Sequence, residues 1–191
     1  MSGELILVTG GSGSGKSAFA ERTLLSRARG RAVYLATMSG ADAESLRRIR
    51  RHRDMRRAHG DAAGLHFTTL ERPVDLGGAD IRPGDAVLLE DLGNLLANEI
   101  WSPGGAGEGA RERILSGVDR VLDRAETLVA VSVEVFSDGC RYDPETLRYI
   151  RTLGELHQDL ARRAVAVAEV VCGIPVWRKG PPGPAATERA V

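Results

Sequence analysis

The chain of 191 residues is poor in aromatic residues, in cysteine and in lysine. Phe, Trp and Tyr make up 4% of it, so its core must consist mainly of Ala, Val, Leu and Ile. The two cysteines, Cys140 and Cys172, form no C-x-x-C pair and indicate neither a disulfide framework nor a zinc site. Among many arginines there are two lysines, Lys16 and Lys179, which makes each a candidate for a specific chemical role.

Net charge and long hydrophobic runs are also lacking. The formal net charge is zero, which argues against a nucleic-acid partner and against an anionic membrane surface. No run approaches the roughly 20 apolar residues of a membrane span, and the short apolar run near the N-terminus is not typical of a signal peptide. We therefore predict a cytoplasmic protein with reduced cysteines.

The length and composition fit one globular domain. We predict a single domain over residues 1–180 and a disordered tail over residues 181–191, which is rich in Pro and Ala. Apolar runs predict strands, helical patterns predict helices between most of them, and a glycine-rich segment predicts a flexible surface loop over 101–110. The predicted strands are 4–9, 32–37, 65–71, 86–91, 127–135 and 170–177, and the predicted helices are 16–28, 42–57, 108–125 and 144–169. This alternation indicates an α/β fold with a mostly parallel central sheet and helices on both faces.

A phosphate-binding loop follows the first predicted strand. The segment "GGSGSGKS" (10–17) fits the P-loop pattern G-x-x-x-x-G-K-[ST] and lies between a strand and a helix, as the motif requires. Its glycines let backbone N–H groups turn towards phosphate oxygens, and the helix N-terminus adds a partial positive charge. Lys16 is predicted to bind the β- and γ-phosphates and Ser17 to bind Mg²⁺, so the chain is predicted to bind a nucleoside triphosphate.

Two acids end the apolar run "AVLLED" (86–91). Glu90 follows the run directly and is the candidate second ligand of Mg²⁺, whereas Asp91 is a candidate N-cap of a following helix. The N-K-x-D motif that reads guanine in switch GTPases is absent from the sequence, which weakens a signalling function.

One histidine, His52, lies among arginines in "RIRRHRDMR" (48–56). On a helix Arg48, His52 and Arg56 share one face. The arginines would bind phosphate oxygens and keep the imidazole neutral, so that it could attack an α-phosphate. The alternative is a solvated arginine-rich helix that happens to include a histidine, and spacing alone favours it.

The chain resembles the bifunctional adenosylcobinamide kinase / adenosylcobinamide-phosphate guanylyltransferase family along nearly its whole length, to about Gly180. The segments that carry the resemblance are "ILVTGGSGSGKSAFAE" (6–21), "YLAT" (34–37), "RIRRHRDMR", "TTLE" (68–71), "LLEDLGNLLANEI" (88–100), "VSVEVFSDGCRYDPETLRYIRTLGELHQDLA" (131–161) and "VVCGIPVWRKG" (170–180).

The resemblance implies two reactions. The first phosphorylates the aminopropanol hydroxyl of adenosylcobinamide with GTP or ATP, and the second transfers GMP from GTP to that phosphate through a guanylylated histidine, for which His52 is the match. The resemblance also implies a P-loop NTPase-like fold and a homo-oligomer, in the form of a trimer. The implied nucleotide contacts are Gly10, Gly11, Ser12, Gly13, Ser14, Gly15, Lys16, Ser17, Ala36, Thr37, Arg53, Asp54, Met55, Arg56, Glu71 and Glu90.

The sequence departs from the family pattern at two positions. Val133 and His157 stand where the family usually has asparagine, and a valine cannot make the hydrogen bonds of an amide. Two other functions therefore stay open: a small-molecule kinase without guanylyl transfer, and an NTP-dependent switch or assembly protein. Cys172, in an apolar run, is expected in the core, and Trp101 and Trp177 are expected in core or interface packing.

Overall fold

The computed structural model describes residues 3–38, 66–136 and 139–180. These residues form strands β1 (Glu4–Gly10), β2 (Ala32–Ala36), β3 (Phe67–Glu71), β4 (Ala86–Leu89), β5 (Thr127–Val133), β6 (Ala166–Val171) and β7 (Ile174–Lys179). The helices are α1 (Lys16–Leu25), α2 (Leu92–Trp101), α3 (Ala110–Leu122) and α4 (Pro144–Arg163), with short 3-10 turns at Leu76–Gly78 and Gly107–Gly109.

The strands form one sheet in the order β3-β2-β4-β5-β1-β6-β7. β1 pairs in parallel with β5 and with β6, and the strands from β3 to β6 in this order are all parallel. β7 pairs with β6 in the antiparallel sense. The predicted α/β fold with a mostly parallel sheet is confirmed.

Helices cover both faces of the sheet. On one face Ala20 and Leu24 of α1 pack against Ile6 and Val8. On the other face α2, α3 and α4 form a larger core, to which α4 contributes three fully buried leucines, Leu153, Leu156 and Leu160. Burial of each such leucine contributes about 1.5–3 kcal/mol. Because both faces are covered, the central strands are continuous apolar runs rather than alternating ones.

Asp91 caps α2, as the sequence suggested. Its Oδ1 accepts hydrogen bonds from the N–H groups of Gly93 (2.8 Å) and Asn94 (3.3 Å). Asp143 caps α4 in the same way, with Pro144 at the first helical position. In the sequence, the Asp91 cap is the signal that indicated a helix at α2.

The C-terminal prediction of a helix over 144–169 and a single strand over 170–177 is wrong. The helix ends at Arg163, and a β-hairpin follows, made of β6 and β7. Its turn is formed by Cys172 (φ 50°) and Gly173 (φ 82°), the two positive φ angles that suit a tight hairpin turn. One apolar run therefore contains a turn, and Cys172 lies exposed in it rather than in the core.

The segment 102–109 forms the predicted loop, after Trp101 has ended α2. Glu99, fully buried, anchors it, since Oε2 accepts a hydrogen bond from the N–H of Ala106 at 3.1 Å. The same carboxylate accepts from the N–H of Asp75 at 2.7 Å. Within the described ranges no helix is long and apolar enough to span a membrane. The predicted helix over 42–57 and the predicted tail over 181–191 lie outside the described residues.

Candidate active site at the carboxyl edge of the sheet

The phosphate-binding loop connects β1 to α1 at the carboxyl edge of the parallel strands, where α/β proteins bind their ligands. Gly15 adopts a left-handed conformation (φ 89°) just before the first turn of α1. The side-chain oxygen of Ser14 is buried in the loop, and no hydrogen-bond partner for it exists within the described part of the chain. An unsatisfied hydroxyl beside a helix N-terminus fits a loop built to bind phosphate oxygens.

Lys16 lies at the start of α1 and is largely buried, with an exposed fraction of 7%. Its Nζ donates a hydrogen bond to the carbonyl oxygen of Gly11 at 3.3 Å, which holds the ammonium group over the loop. The group also acts on Asp91: burial raises the pKa of Asp91 above its ordinary value, and the N–H donors of its cap and the charge of Lys16 counteract part of that rise. The phosphate loop and the end of β4 therefore belong to one electrostatic site.

Glu90 connects β4 to the end of β2. Its Oε2 accepts hydrogen bonds from the N–H of Thr37 (3.0 Å) and from the N–H of Met38 (3.3 Å), and its side chain is nearly buried. A carboxylate held by two backbone donors has a fixed position. Glu90 thus has a fixed position beyond β4, with one oxygen engaged by the protein.

Thr37 is held at all three of its polar groups beyond β2. In addition to the bond to Glu90, its hydroxyl donates to the carbonyl oxygen of Asp91 at 3.1 Å. Its own carbonyl oxygen accepts from Nδ2 of Asn98 at 2.8 Å. Asn98, on α2, was not among the predicted site residues, although it lies in the segment 88–100 that carries part of the resemblance. Its role depends on a contact between residues that are 61 positions apart.

Most of the predicted nucleotide contacts are gathered at this edge. Ala36 and Glu71 are register partners at the ends of β2 and β3, and Glu90 follows β4. The P-loop residues follow β1 in the same sheet. The histidine-arginine segment lies outside the described residues, so its predictions stay untested: Arg48, His52, Arg53, Asp54, Met55 and Arg56.

The turn of the C-terminal hairpin contacts the phosphate loop. The N–H of Gly173 donates to the carbonyl oxygen of Ser14 at 2.8 Å. A Cβ on Gly15 would lie 3.2 Å from Cα of Gly173, so the two backbones approach closely. The G-I-P segment (173–175), which carries part of the resemblance, therefore supports the phosphate loop. The sequence did not indicate this contact, because the two segments are far apart in the chain.

The two departures from the family pattern, Val133 and His157, both lie near the end of β5. Val133 packs against α2, because its Cγ1 would be 3.2 Å from a Cβ on Gly93. His157 of α4 makes a 2.7 Å hydrogen bond from Nε2 to Oγ of the buried Ser132. Burial lowers the pKa of His157 to about 4, although Glu134 acts in the opposite direction, so the imidazole is neutral near pH 7.

A magnesium ion fits this edge as a partner of bound phosphates. The described ranges contain no cluster of three or more His, Cys, Asp or Glu side chains that could hold a metal by themselves. Magnesium in nucleotide sites usually has one or two protein ligands, with phosphate oxygens and water completing its shell. The hydroxyl of Ser17 in the first turn of α1 and the fixed carboxylate of Glu90 are suitable donors.

Solved structures show partial likeness to the chain. A KaiC-like protein, PH0186, from Pyrococcus horikoshii matches with a TM-score of 0.49 at 16% identity, over 88% of this chain and 71% of that one. The ATPase domain of G40P matches with a TM-score of 0.48 at 14% identity, over 87% of this chain and 68% of that one.

Sequence comparison gives a closer relationship. The bifunctional adenosylcobalamin biosynthesis protein CobP of Pseudomonas aeruginosa is 33% identical over 181 residues, covering 92% of this chain and 98% of the relative. The bifunctional adenosylcobalamin biosynthesis protein CobU of Salmonella typhimurium is 33% identical over 185 residues, with 90% and 98% covered. The model of the cobinamide kinase / cobinamide phosphate guanyltransferase family matches residues 6–177. The chain therefore belongs to the cobinamide kinase / cobinamide phosphate guanyltransferase family.

Proposed function

We propose that this protein phosphorylates adenosylcobinamide and then transfers GMP from GTP to the adenosylcobinamide phosphate. The observation that carries the proposal is the electrostatic interaction of Lys16 of the P-loop with Asp91, which follows Glu90 at the end of β4. It occurs in a chain of this family. The enzyme is proposed to act in the cytoplasm, where its nucleotide substrates are available, as a single catalytic domain over residues 1–180. A homo-oligomer, in the form of a trimer, is the proposed assembly, and light scattering tests it.

In the first reaction the aminopropanol hydroxyl of the acceptor attacks the γ-phosphorus of GTP or ATP. The new P–O bond forms as the bond to the β-phosphate oxygen breaks, and the nucleoside diphosphate and a proton are released. Lys16 and the N–H groups of the P-loop bind the β- and γ-phosphates and stabilise the charge on the transferred group. Mg²⁺, bound by Ser17 and Glu90, would neutralise further charge on those phosphates.

In the second reaction we propose His52 as the nucleophile. A neutral ring nitrogen attacks the α-phosphorus of GTP, a P–N bond forms, and pyrophosphate leaves with the electrons of the broken P–O bond. A phosphate oxygen of adenosylcobinamide phosphate then attacks the same phosphorus, so that the P–N bond breaks and the diphosphate product forms. The arginines of the segment, among them Arg53 and Arg56, would stabilise charge on the phosphorus oxygens.

The contacts of Glu90 support the proposal that one site carries out both reactions. Thr37 and Met38, which lead into the segment that contains His52, are fixed to Glu90 and therefore to the phosphate site. We propose that Ala36, Thr37 and Glu71 also contact the nucleotide. Ala36 and Glu71 are register partners at the same edge of the sheet. Asp54 and Met55 complete the proposed nucleotide contacts.

The test is covalent labelling. Purified protein is incubated with Mg²⁺ and GTP labelled at the α-phosphate, denatured, and assayed for retained label. An acid-labile, alkali-stable label that is lost in His52→Ala supports the guanylyl-histidine, and we expect Lys16→Ala to reduce both labelling and kinase turnover. A wild-type protein that binds GTP and phosphorylates cobinamide but carries no label would instead be a kinase without guanylyl transfer.

A further inference from the structure

Three exposed apolar side chains lie on either side of the start of the phosphate loop. They are Phe136, Val171 and Ile174, with exposed fractions of 44%, 48% and 66%, and we call them the apolar rim. Phe136 follows β5, whereas Val171 and Ile174 flank the turn of the C-terminal hairpin. Neither the P-loop chemistry nor the acids at the ends of β3 and β4 use these side chains.

On the β5 side, Phe136 has a fixed position next to the loop. The N–H of Glu134 donates to the carbonyl oxygen of Gly10 at 3.0 Å, and the N–H of Phe136 donates to Oε1 of Glu134 at 2.7 Å. The ring packs edge-to-face on His157 (centroids 5.4 Å apart) and lies 3.5 Å from where a Cβ on Gly154 would be. The ring of Phe136 is therefore supported by α4 on one side and remains partly exposed.

On the β6 side, the hairpin brings Val171 and Ile174 to the same loop. The carbonyl oxygen of Val170 would lie 2.6 Å from a Cβ on Gly10, so the end of β6 is directly beside it. Val171 and Ile174 are register partners, so both side chains are on one face of the sheet. That face is the one covered by α4, because Val167, an even number of residues before Val171, belongs to the core on that face.

The rim therefore extends on one face from β5 across β1 to β6 and β7, and the two strand spacings from β5 to β6 correspond to about 10 Å. The proposed nucleotide contacts Thr37, Glu71 and Glu90 lie at the ends of β2, β3 and β4, on the other side of β5 in the strand order. The nucleotide side of the site is polar and acidic, whereas the rim is aliphatic and aromatic. A second substrate that must reach the phosphates would approach from the rim side.

We propose that the apolar rim binds the corrin macrocycle of the acceptor, with Phe136 against one part of its apolar face and the hairpin against another. This inference rests on the proposed function. A large, flat macrocycle suits an open surface with separated apolar contacts better than a closed cavity does, and its aminopropanol arm would extend over Gly10 to the phosphates. His157 behind the ring is neutral near pH 7, and the neighbouring Glu134 carboxylate has one oxygen engaged by the N–H of Phe136.

The experiment compares Phe136→Ala and Val171→Ser with Val165→Ser. Val165 is a matched control because it is 49% exposed and directly precedes β6, at the amino ends of the parallel strands, away from the phosphate loop. We measure the KM of the kinase reaction for adenosylcobinamide, its KM for the nucleotide, and covalent GMP labelling from GTP alone. Both rim variants should raise the KM for adenosylcobinamide at least about tenfold, as expected for lost central contacts. Their nucleotide KM and labelling, and all values of Val165→Ser, should stay within about twofold of wild type.

Three results would overturn the proposal. An unchanged KM for adenosylcobinamide in both rim variants would show that the acceptor binds elsewhere. A raised KM for the nucleotide would assign the rim to the nucleobase, and a smaller oligomer in light scattering would assign it to a second copy of the chain. Failure of the proposed guanylyl transfer is distinguishable, because wild type would then lack the label while the kinase measurement still tests the rim.

Discussion

His157 should make the stability of the folded protein sensitive to mild acid. Burial lowers its pKa from the ordinary 6.5 to about 4, so between these two pH values the unfolded chain binds a proton that the native protein does not. The free energy of unfolding therefore falls as the pH falls through this window, and no contribution from this residue remains to be lost below pH 4. Between pH 7.5 and pH 5.0 the two pKa values give a loss of about 2 kcal/mol from this one side chain.

The assay is urea unfolding followed by circular dichroism at pH 7.5 and pH 5.0, for wild type and for His157→Asn. An asparagine can still hydrogen-bond to Ser132 but does not titrate, so its loss of stability between the two pH values should be smaller by about 2 kcal/mol. Gln158→Asn, at the next and exposed position of α4, is the control and should leave the pH dependence as it is in wild type, because it changes no ionisable group. Equal pH dependence in wild type and His157→Asn would refute the argument that His157 is buried in its neutral form.

Three other substitutions test separate features of the fold and site. Glu99→Gln weakens a buried carboxylate that holds two backbone N–H groups, and it should cost about 2–3 kcal/mol in urea unfolding, whereas the exposed Glu108→Gln should change stability by less than about 0.5 kcal/mol. Gly154 lies inside α4, where a Cβ would meet the ring of Phe136 at an ordinary contact distance of 3.5 Å. Because alanine favours a helix more than glycine does, Gly154→Ala should raise the free energy of unfolding by about 0.5–1 kcal/mol. A loss of stability would contradict this packing. Glu90→Gln keeps an oxygen for the backbone donors beyond β2 but loses the charge, so the Mg²⁺ concentration for half-maximal kinase activity should rise. Stability should fall by less than in Glu99→Gln, because one amide oxygen can accept from both donors; unchanged Mg²⁺ dependence would leave Glu90 a purely structural role.

The parts of the site that are contiguous in the chain could be predicted from the sequence. The P-loop pattern fixed the position of Lys16 at the start of α1, because the motif carries its own strand and helix on either side. Asp91 was accessible for the same reason, since an N-cap interacts with residues two and three positions further along. By contrast, periodicity could not divide the apolar run that contains Cys172, because a two-residue turn leaves the hydrophobic pattern on both sides intact.

By itself, the sequence determined an α/β domain with a phosphate-binding loop and two acids at the end of a buried strand, and its motifs identified the family. Only the tertiary structure joined Asn98 to Thr37, packed the hairpin turn on Ser14, and set Phe136 beside Gly10. These contacts depend on strand order and on the register of parallel strands, which bring together residues far apart in the chain. Local propensity acts over a few residues, whereas strand order follows from how all the apolar faces are buried together.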